Sequence, residues 1–365
     1  MRRETTKDPH PRYRYAGLHP DFAEEMAYFF QNKVYSVQIE TTLACDQGCR
    51  YCYAAAASPP QQELPARAIR EVLEAAARME VRAADWLGGD PLLRDDWEAL
   101  MAHAADLGLA SNIWTSGLPL ADPGVAERAV AASEGGFISV HLDTLDPAIY
   151  ATLHTGRAQE KIAAILSGIE TLQELGKPPE QLVNCITLTT PVTGSDVRET
   201  IRFFWEELGM RTCLTLMATA GAAGGMEHWI PSREAVREAY ECRNTTGYTG
   251  SDLALGPMDV SKFYCGGVVC VTIDGEVTPC SVIREGVGTI FREPFPAIVA
   301  RHKETLLATP LRRVGTRAGS CSRCAWGTVC WGCRASAYYA SGDLMGEDPY
   351  CWRHSDREHE EEARR

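Results

Sequence analysis

The sequence predicts an α/β fold in two parts: a core of six repeated strand–helix units, then a smaller cysteine-rich unit. Three observations predict it. Short β-rich runs alternate with amphipathic helical runs as far as about residue 225, that alternation stops there, and the 14 cysteines of the 365-residue chain gather mainly at two places. Six strands in strand–helix repeats imply parallel pairing through right-handed crossovers, in a full or partial barrel or an open sheet. In such folds the working residues collect at the C-terminal ends of the strands.

The strands are read at VYSVQIETT (34–42), AADWLGG (83–89), ASNIWTS (110–116), GFISVHLDT (136–144), LVNCITLTT (182–190) and RTCLTLMAT (211–219). Between them, stretches such as 65–79 and 156–176 repeat apolar residues at three and four, the helical period. Residues 1–33 form an N-terminal extension, 34–225 the strand–helix core and 226–260 a helical linker containing 232–244. Residues 261–353 have few long periodic runs and read as a small fold held by metal rather than by apolar core. The tail, 354–365, reads as a charged, solvated helix end.

Composition excludes several functions. A hydrophobic share of 45% with 23% charged residues is ordinary for a globular chain. With 49 acidic against 36 basic residues, a net charge of -13 and no basic tract, the chain lacks the Lys/Arg field that nucleic acid or an anionic membrane requires. No apolar run approaches the roughly 18–20 residues of a membrane span, and the start has no signal-peptide core. These features predict a cytoplasmic protein, where thiols stay reduced and a cysteine-dense chain is read as metal-binding or thiol chemistry.

The first cluster follows the first strand: Thr42-Leu-Ala-Cys45-Asp-Gln-Gly-Cys49-Arg-Tyr51-Cys52-Tyr53. Three thiolates this close can wrap one side of a small cluster. Four would close a cubane iron–sulfur cluster, whereas three leave one iron open to a substrate. The alternatives are a zinc site short of a ligand or three core cysteines. The second set reads Cys265-x4-Cys270-x9-Cys280, with Gly275 four residues before Cys280, then Cys321-x2-Cys324-x5-Cys330-x2-Cys333 and finally Cys351. Eight ligands can close two four-thiolate clusters. Paired zinc ribbons compete with this reading, but the gap of five between the CxxC pairs is short against the ~12–20 residues usual there.

The CxxxCxxC spacing at the end of the first strand of a β/α repeat resembles the radical S-adenosylmethionine (radical SAM) superfamily. The resemblance implies a partial (β/α)6 barrel and a [4Fe–4S] cluster on Cys45, Cys49 and Cys52, whose open iron is chelated by SAM. It also implies reductive cleavage of SAM to a 5′-deoxyadenosyl radical that abstracts a substrate hydrogen. Tyr51 stands at the aromatic position that the family packs near adenine. Leu87-Gly88-Gly89-Asp90-Pro91 stands where the family usually has Gly-Gly-Glu-Pro, with backbone and acid accepting from the methionine ammonium; alone it is an ordinary strand-to-helix turn. The fourth strand ends Ser139-Val140-His141-Leu142-Asp143, where the family shows a Ser-x-Asp pair directed at SAM. His141 takes the serine's place, and it shares a face with Asp143 because alternate strand residues point the same way.

The C-terminal spacing resembles the SPASM domain, the extension of a radical SAM subfamily that holds two auxiliary [4Fe–4S] clusters. Motif for motif, it implies Cys265, Cys270, Cys280 and Cys333 on an inner cluster and Cys321, Cys324, Cys330 and Cys351 on an outer one. Cys330 and Cys333 are separated by two residues where three are usual. Closed auxiliary clusters suit a role as electron conduits in dehydrogenation or oxidative bond formation. The resemblance covers about 36–353 and adds an electron donor such as flavodoxin or ferredoxin.

The reaction itself is less determined by sequence. Ser281 follows Cys280 where sulfatase-maturating members carry an acid base, which argues against that reaction. The 33 residues before the first strand are too few for a leader-binding domain, and a separate leader-peptide-binding protein could supply that function for a peptide substrate. Cys185 and Thr187 alternate on the fifth strand, and Cys185 and Cys213 fall outside every cluster motif; both read first as inert core thiols, with Cys185 as a candidate hydrogen-atom donor. Three readings follow: an enzyme modifying a peptide or protein side chain, a dehydrogenase or epimerase of an aminosugar, aminocyclitol or tetrapyrrole, and a non-catalytic metal-binding protein.

Overall fold

The structure is a computed structural model and describes residues 22–57, 62–247, 254–258, 264–313, 315–327 and 330–353. The charged tail and most of the N-terminal extension lie outside these residues. A helix, α1 (Phe22–Gln31), leads into β1 (Ser36–Thr42), and the barrel units follow in order. They are α2 (Ala66–Arg78), β2 (Ala83–Gly88), α3 (Trp97–Asp106), β3 (Ala110–Thr115), α4 (Pro123–Ala132) and β4 (Ile138–His141), then α5 (Pro147–Leu153), α6 (Ala158–Glu174), β5 (Leu182–Leu188), α7 (Gly194–Glu206) and β6 (Arg211–Leu216). Neighbouring strands from β1 to β6 pair in parallel in sequence order. Of the parallel arrangements that the strand–helix repeats allow, this is the partial (β/α)6 barrel that the resemblance implies.

Residue alternation gives the sheet two different faces. Val37, Ile39, Trp86, Ile113, Ile138 and Val140 point outward and are buried with Ile69, Val72 and Leu73 of α2, Leu100 of α3 and Ile165 of α6. On the inward face of the first three strands, Ser36, Asp85 and Asn112 satisfy one another. Ser36 Oγ donates to Asp85 at 2.8 Å and Asn112 Nδ2 donates to the same carboxylate at 2.7 Å. A buried polar layer costs little only when paired in this way. Asp122 and Asp146 cap α4 and α5 by accepting backbone N–H bonds, each followed by proline at the first helical position.

The cysteine-rich region joins the same sheet. A strand β7 (Val268–Val271) pairs in parallel with β1, in register Ser36↔Val268 to Ile39↔Val271, and β8 (Val277–Thr278) returns antiparallel to it. The sheet therefore runs β6-β5-β4-β3-β2-β1-β7-β8. Further ties run between the two regions. Ser281 N donates to Gln38 Oε1 at 3.0 Å, Ile273 N donates to Glu40 Oε2 at 2.9 Å, and Arg284 clamps the same Glu40 with both terminal nitrogens. Within 226–260, α8 (Arg233–Asn244) buries Val236, Ala239 and Tyr240 against Val197 and Ile201 of α7 and Ile186 and Leu214 of the sheet. Among the described residues no helix is long and apolar enough to cross a membrane.

Candidate functional site

The C-terminal ends of the barrel strands open on a cavity of about 320 Å³. Its wall takes Cys45, Cys49, Tyr51 and Cys52 from the loop after β1, Gly88 and Gly89 after β2, His141 from β4, Cys185 and Thr187 from β5 and Cys213 from β6. Cys265, Cys280, Ser281 and Cys333 of the cysteine-rich region complete the lining.

Backbone contacts hold the first cysteine loop. Gly89 N donates to Thr42 O and Asp90 N to Ala44 O, both at 2.6 Å. A Cβ on Gly88 (φ +123°) would lie 2.2 Å from Thr42 O, and one on Gly89 would lie 2.1 Å from Ala44 O. The two glycines are therefore required by the close approach of the loop. From the other side, Thr155 N donates to Gly48 O at 3.0 Å, Arg50 N to Leu153 O at 2.9 Å and Ala222 N to Cys52 O at 2.9 Å.

The donor set fits a polynuclear cluster better than a single ion. Tetrahedral zinc at about 2.3 Å from each sulfur would bring the sulfurs within about 4 Å of one another. Among the described residues, only His141, Asp143 and His154 place three possible ligand atoms within 4.8 Å of one another. Among the described residues no three cysteine sulfurs come that close, which tells against a single zinc ion on any of the sets. Burial and then the neighbouring Asp90 charge push the Cys45 thiol up to about 12, and burial with the charges of Cys52 and Cys45 raises Cys49 well above the usual range. Thiols so placed ionise readily only against a cationic centre.

Beside the loop lies a buried hydrogen-bonded network. The Tyr51 hydroxyl donates to Asp143 Oδ2 and lies 2.7 Å from His141 Nε2. His154 Nε2 reaches the same carboxylate oxygen at 3.0 Å, and Thr187 N donates to Oδ1 at 2.8 Å. Burial alone would raise the Asp143 pKa, but the two histidines outweigh it and hold the carboxyl far below its ordinary range. Burial likewise works against the charged form of His141, yet the Asp143 charge raises this imidazole above its ordinary value; for His154 burial prevails and the pKa is lowered. His154 gives no sequence signal of its own, being placed after α5 by a bridge between its backbone and that of Cys49.

Asp90 departs from expectation. Its carboxylate is fully buried and takes bonds from Leu92 N (3.1 Å), Thr115 Oγ1 (2.8 Å), Ser116 N (2.9 Å) and Ser116 Oγ (2.6 Å). The acid is used to fasten the β2 turn to the end of β3, so only the backbone half of the expected ammonium contact is presented to the cavity. Aspartate reaches this turn because its short side chain also caps the 3₁₀ turn Pro91–Leu93.

The other cysteines separate into two groups. Cys265, Cys280 and Cys333 share the main cavity, and the Cys280 thiol feels the charges of Cys265 and Cys333 while that of Cys270, on β7, feels Cys280. Cys321, Cys324, Cys330 and Cys351 line a second, small cavity together with Arg317, Trp326 and Asp348. Cys330 and Cys333 thus face different groups despite their spacing: Gly332 between them takes a left-handed φ of +63°, and Asp348 receives Cys333 N at 2.6 Å. Both Cys185 and Cys213 face the main cavity, which fixes the inward face of β5 and β6.

Known proteins share parts of this sequence and its fold. Residues 39–204 match the family model of the radical SAM superfamily. The AdoMet-dependent heme synthase of Nitratidesulfovibrio vulgaris is 24% identical, over 86% of this chain and 90% of that protein. The PqqA peptide cyclase of Xanthomonas campestris pv. campestris is 26% identical, over 87% and 86%. Two solved structures share the fold: Streptococcus suis SuiB bound to precursor peptide SuiA (TM-score 0.63, 16% identity, 90% of this chain and 79% of that one) and anSMEcpe with bound AdoMet and Cp18Cys peptide (TM-score 0.63, 13% identity, 86% and 93%).

Proposed function

We propose that the chain, whose residues 39–204 match the radical SAM superfamily model, is a radical SAM enzyme of the SPASM type that modifies an uncharged side chain of a peptide or protein by hydrogen abstraction followed by oxidation or remodelling. When bound, a [4Fe–4S] cluster on Cys45, Cys49 and Cys52 together with SAM supplies a 5′-deoxyadenosyl radical. Gly88 and Gly89 offer backbone to the methionine end, and Tyr51 and His141 form the polar wall on the nucleoside side, with Asp143 buried behind them. Asp143, oriented by His154 and the Thr187 amide, holds the Tyr51 hydroxyl and the His141 ring in one pose. Cys265, Cys270, Cys280 and Cys333 would hold a second [4Fe–4S] cluster and Cys321, Cys324, Cys330 and Cys351 a third. Cys185 would return a hydrogen atom where the product needs one. Such a thiol-rich enzyme would work in the reducing cytoplasm with a flavodoxin or ferredoxin as electron donor.

The observation that carries the substrate class is the lining of the cavity. Among the described residues it contains no Asp, Glu, Lys or Arg, and His141 is its one basic side chain. A tetrapyrrole rich in carboxylates would find only His141 there, already paired with Asp143, and an aminosugar or aminocyclitol no carboxylate. A neutral side chain delivered by a peptide that binds outside the cavity meets both conditions. The curated relatives include a peptide cyclase and a heme synthase, so the choice is experimental. Anaerobic enzyme with SAM and reduced flavodoxin should form 5′-deoxyadenosine faster with a synthetic peptide encoded beside its gene than with a dicarboxylate tetrapyrrole. Stimulation by the tetrapyrrole and none by the peptide would overturn this reading.

A further inference from the structure

Two cysteines outside the cluster sets lie side by side on the cavity wall. Cys185 of β5 is the register partner of Cys213 of β6 on one side and of His141 of β4 on the other. Partners in a parallel ladder point to the same face, and all three line the cavity. The nearby Cys213 thiol, together with burial, raises the Cys185 pKa well above its usual range, and the Cys185 sulfur lies 3.9 Å from Thr215 Oγ1. Both are buried and reduced. An inert core thiol does not call for a second thiol in register with it on the wall of a cavity, so the pairing suggests a two-electron function.

We propose that Cys185 and Cys213 are a redox dithiol serving the radical reaction, with Cys185 as the hydrogen-atom donor and Cys213 as the thiol that resolves it. This deepens the role given to Cys185 above and rests on the radical SAM reading. A carbon radical takes the hydrogen atom of the Cys185 S–H bond, leaving a sulfur-centred radical on Cys185. That sulfur bonds to Cys213, whose S–H proton leaves to solvent. The one remaining electron passes to a one-electron flavin or iron–sulfur carrier, and the product is a Cys185–Cys213 disulfide. An external dithiol then reopens it by exchange, giving back two protons and two electrons. A reaction that returns hydrogen to its substrate would therefore consume one dithiol per turnover, whereas one that oxidises its substrate would leave the pair reduced.

The test needs no identified substrate. Holoenzyme is incubated in D2O with SAM, flavodoxin, flavodoxin reductase and NADPH, without added thiol, so that the exchanged S–D bond of Cys185 is the weak bond facing the radical. Most of the 5′-deoxyadenosine should carry deuterium, and peptide mapping after alkylation should reveal a Cys185–Cys213 linked peptide. Cys185→Ser should lower the deuterium label at least tenfold and abolish the linked peptide, while Cys213→Ser should keep the label and lose only the link. Iron content checks that each variant is folded, and Cys185→Ala and Cys213→Ala repeat the test with a different shape. A label that survives Cys185→Ser, unlabelled nucleoside from the wild type, or labelled nucleoside without the linked peptide would each overturn the proposal. Absence of any 5′-deoxyadenosine would take down the radical SAM reading beneath it.

Discussion

At the scale of single residues, Asp143 is the group on which the cavity's polar wall depends. It receives Tyr51, His141, His154 and the Thr187 amide at once, and hydrogen bonds to a charged group are worth about 1.5–3 kcal/mol each. Asp143→Asn should weaken SAM binding by about tenfold or more in equilibrium dialysis, while leaving the iron content near that of the wild type. The same pair gives a pH dependence with a definite sign. Because Asp143 raises the His141 pKa, their pairing contributes its full stability below about pH 6.5 and loses it as the pH rises through the elevated value. Urea unfolding at pH 6 and pH 8 should show that loss in the wild type and a smaller one in Asp143→Asn. Gly89 is a second sensitive point: with Ala44 O 2.1 Å from the position of an added Cβ, Gly89→Ala must displace the cysteine loop. It should lower the iron bound per chain by about four. His141 and Asp143 are legible in the sequence from strand alternation, but His154 is not. It comes from a different element, and only the fold brings its ring to Asp143. Asp90 was legible as a position and not as a role, since its partners Thr115 and Ser116 lie on the next strand.

At the scale of elements, the six strands were readable because each carries apolar residues on the outward face and bears an amphipathic helix after it. The seventh was not. VVCV of β7 is a short apolar run in a cysteine-rich stretch, and nothing local says that it completes hydrogen bonds for β1, which precedes it by more than 200 residues. Its attachment is reinforced by Arg284, which reaches back to Glu40 on β1. The Glu40 side chain is fully buried and that of Arg284 is 24% exposed. Removing one partner of a buried pair leaves the other uncompensated, at a typical cost of about 3–5 kcal/mol. Partial exposure of Arg284 reduces this, so Glu40→Gln should cost about 2–3 kcal/mol in urea unfolding. A Glu40→Gln, Arg284→Met double variant should recover part of the loss. A single variant as stable as the wild type would show that β7 needs no such tie.

For the whole molecule, one sheet joins the two cysteine-bearing regions into a single body around one cavity. Cys45, Cys49 and Cys52 line that cavity together with Cys265, Cys280 and Cys333, and Cys321, Cys324, Cys330 and Cys351 line a second, small one. The grouping of eleven cysteines was largely legible, since their spacing is set by the loops that present them. The allocation of Cys330 and Cys333 to different groups needed the left-handed turn at Gly332. The neutral lining of the main cavity was not legible at all, because a net charge of -13 describes the outer surface as well as the inner one. The most direct measurement is anaerobic reconstitution followed by metal analysis and nucleoside detection, on the wild type and on Cys45→Ala/Cys49→Ala/Cys52→Ala. Three four-iron clusters predict about twelve irons per wild-type chain with release of 5′-deoxyadenosine, and about eight irons with no release in the triple variant. Zinc in place of iron, or undiminished 5′-deoxyadenosine release from the triple variant, would contradict the account.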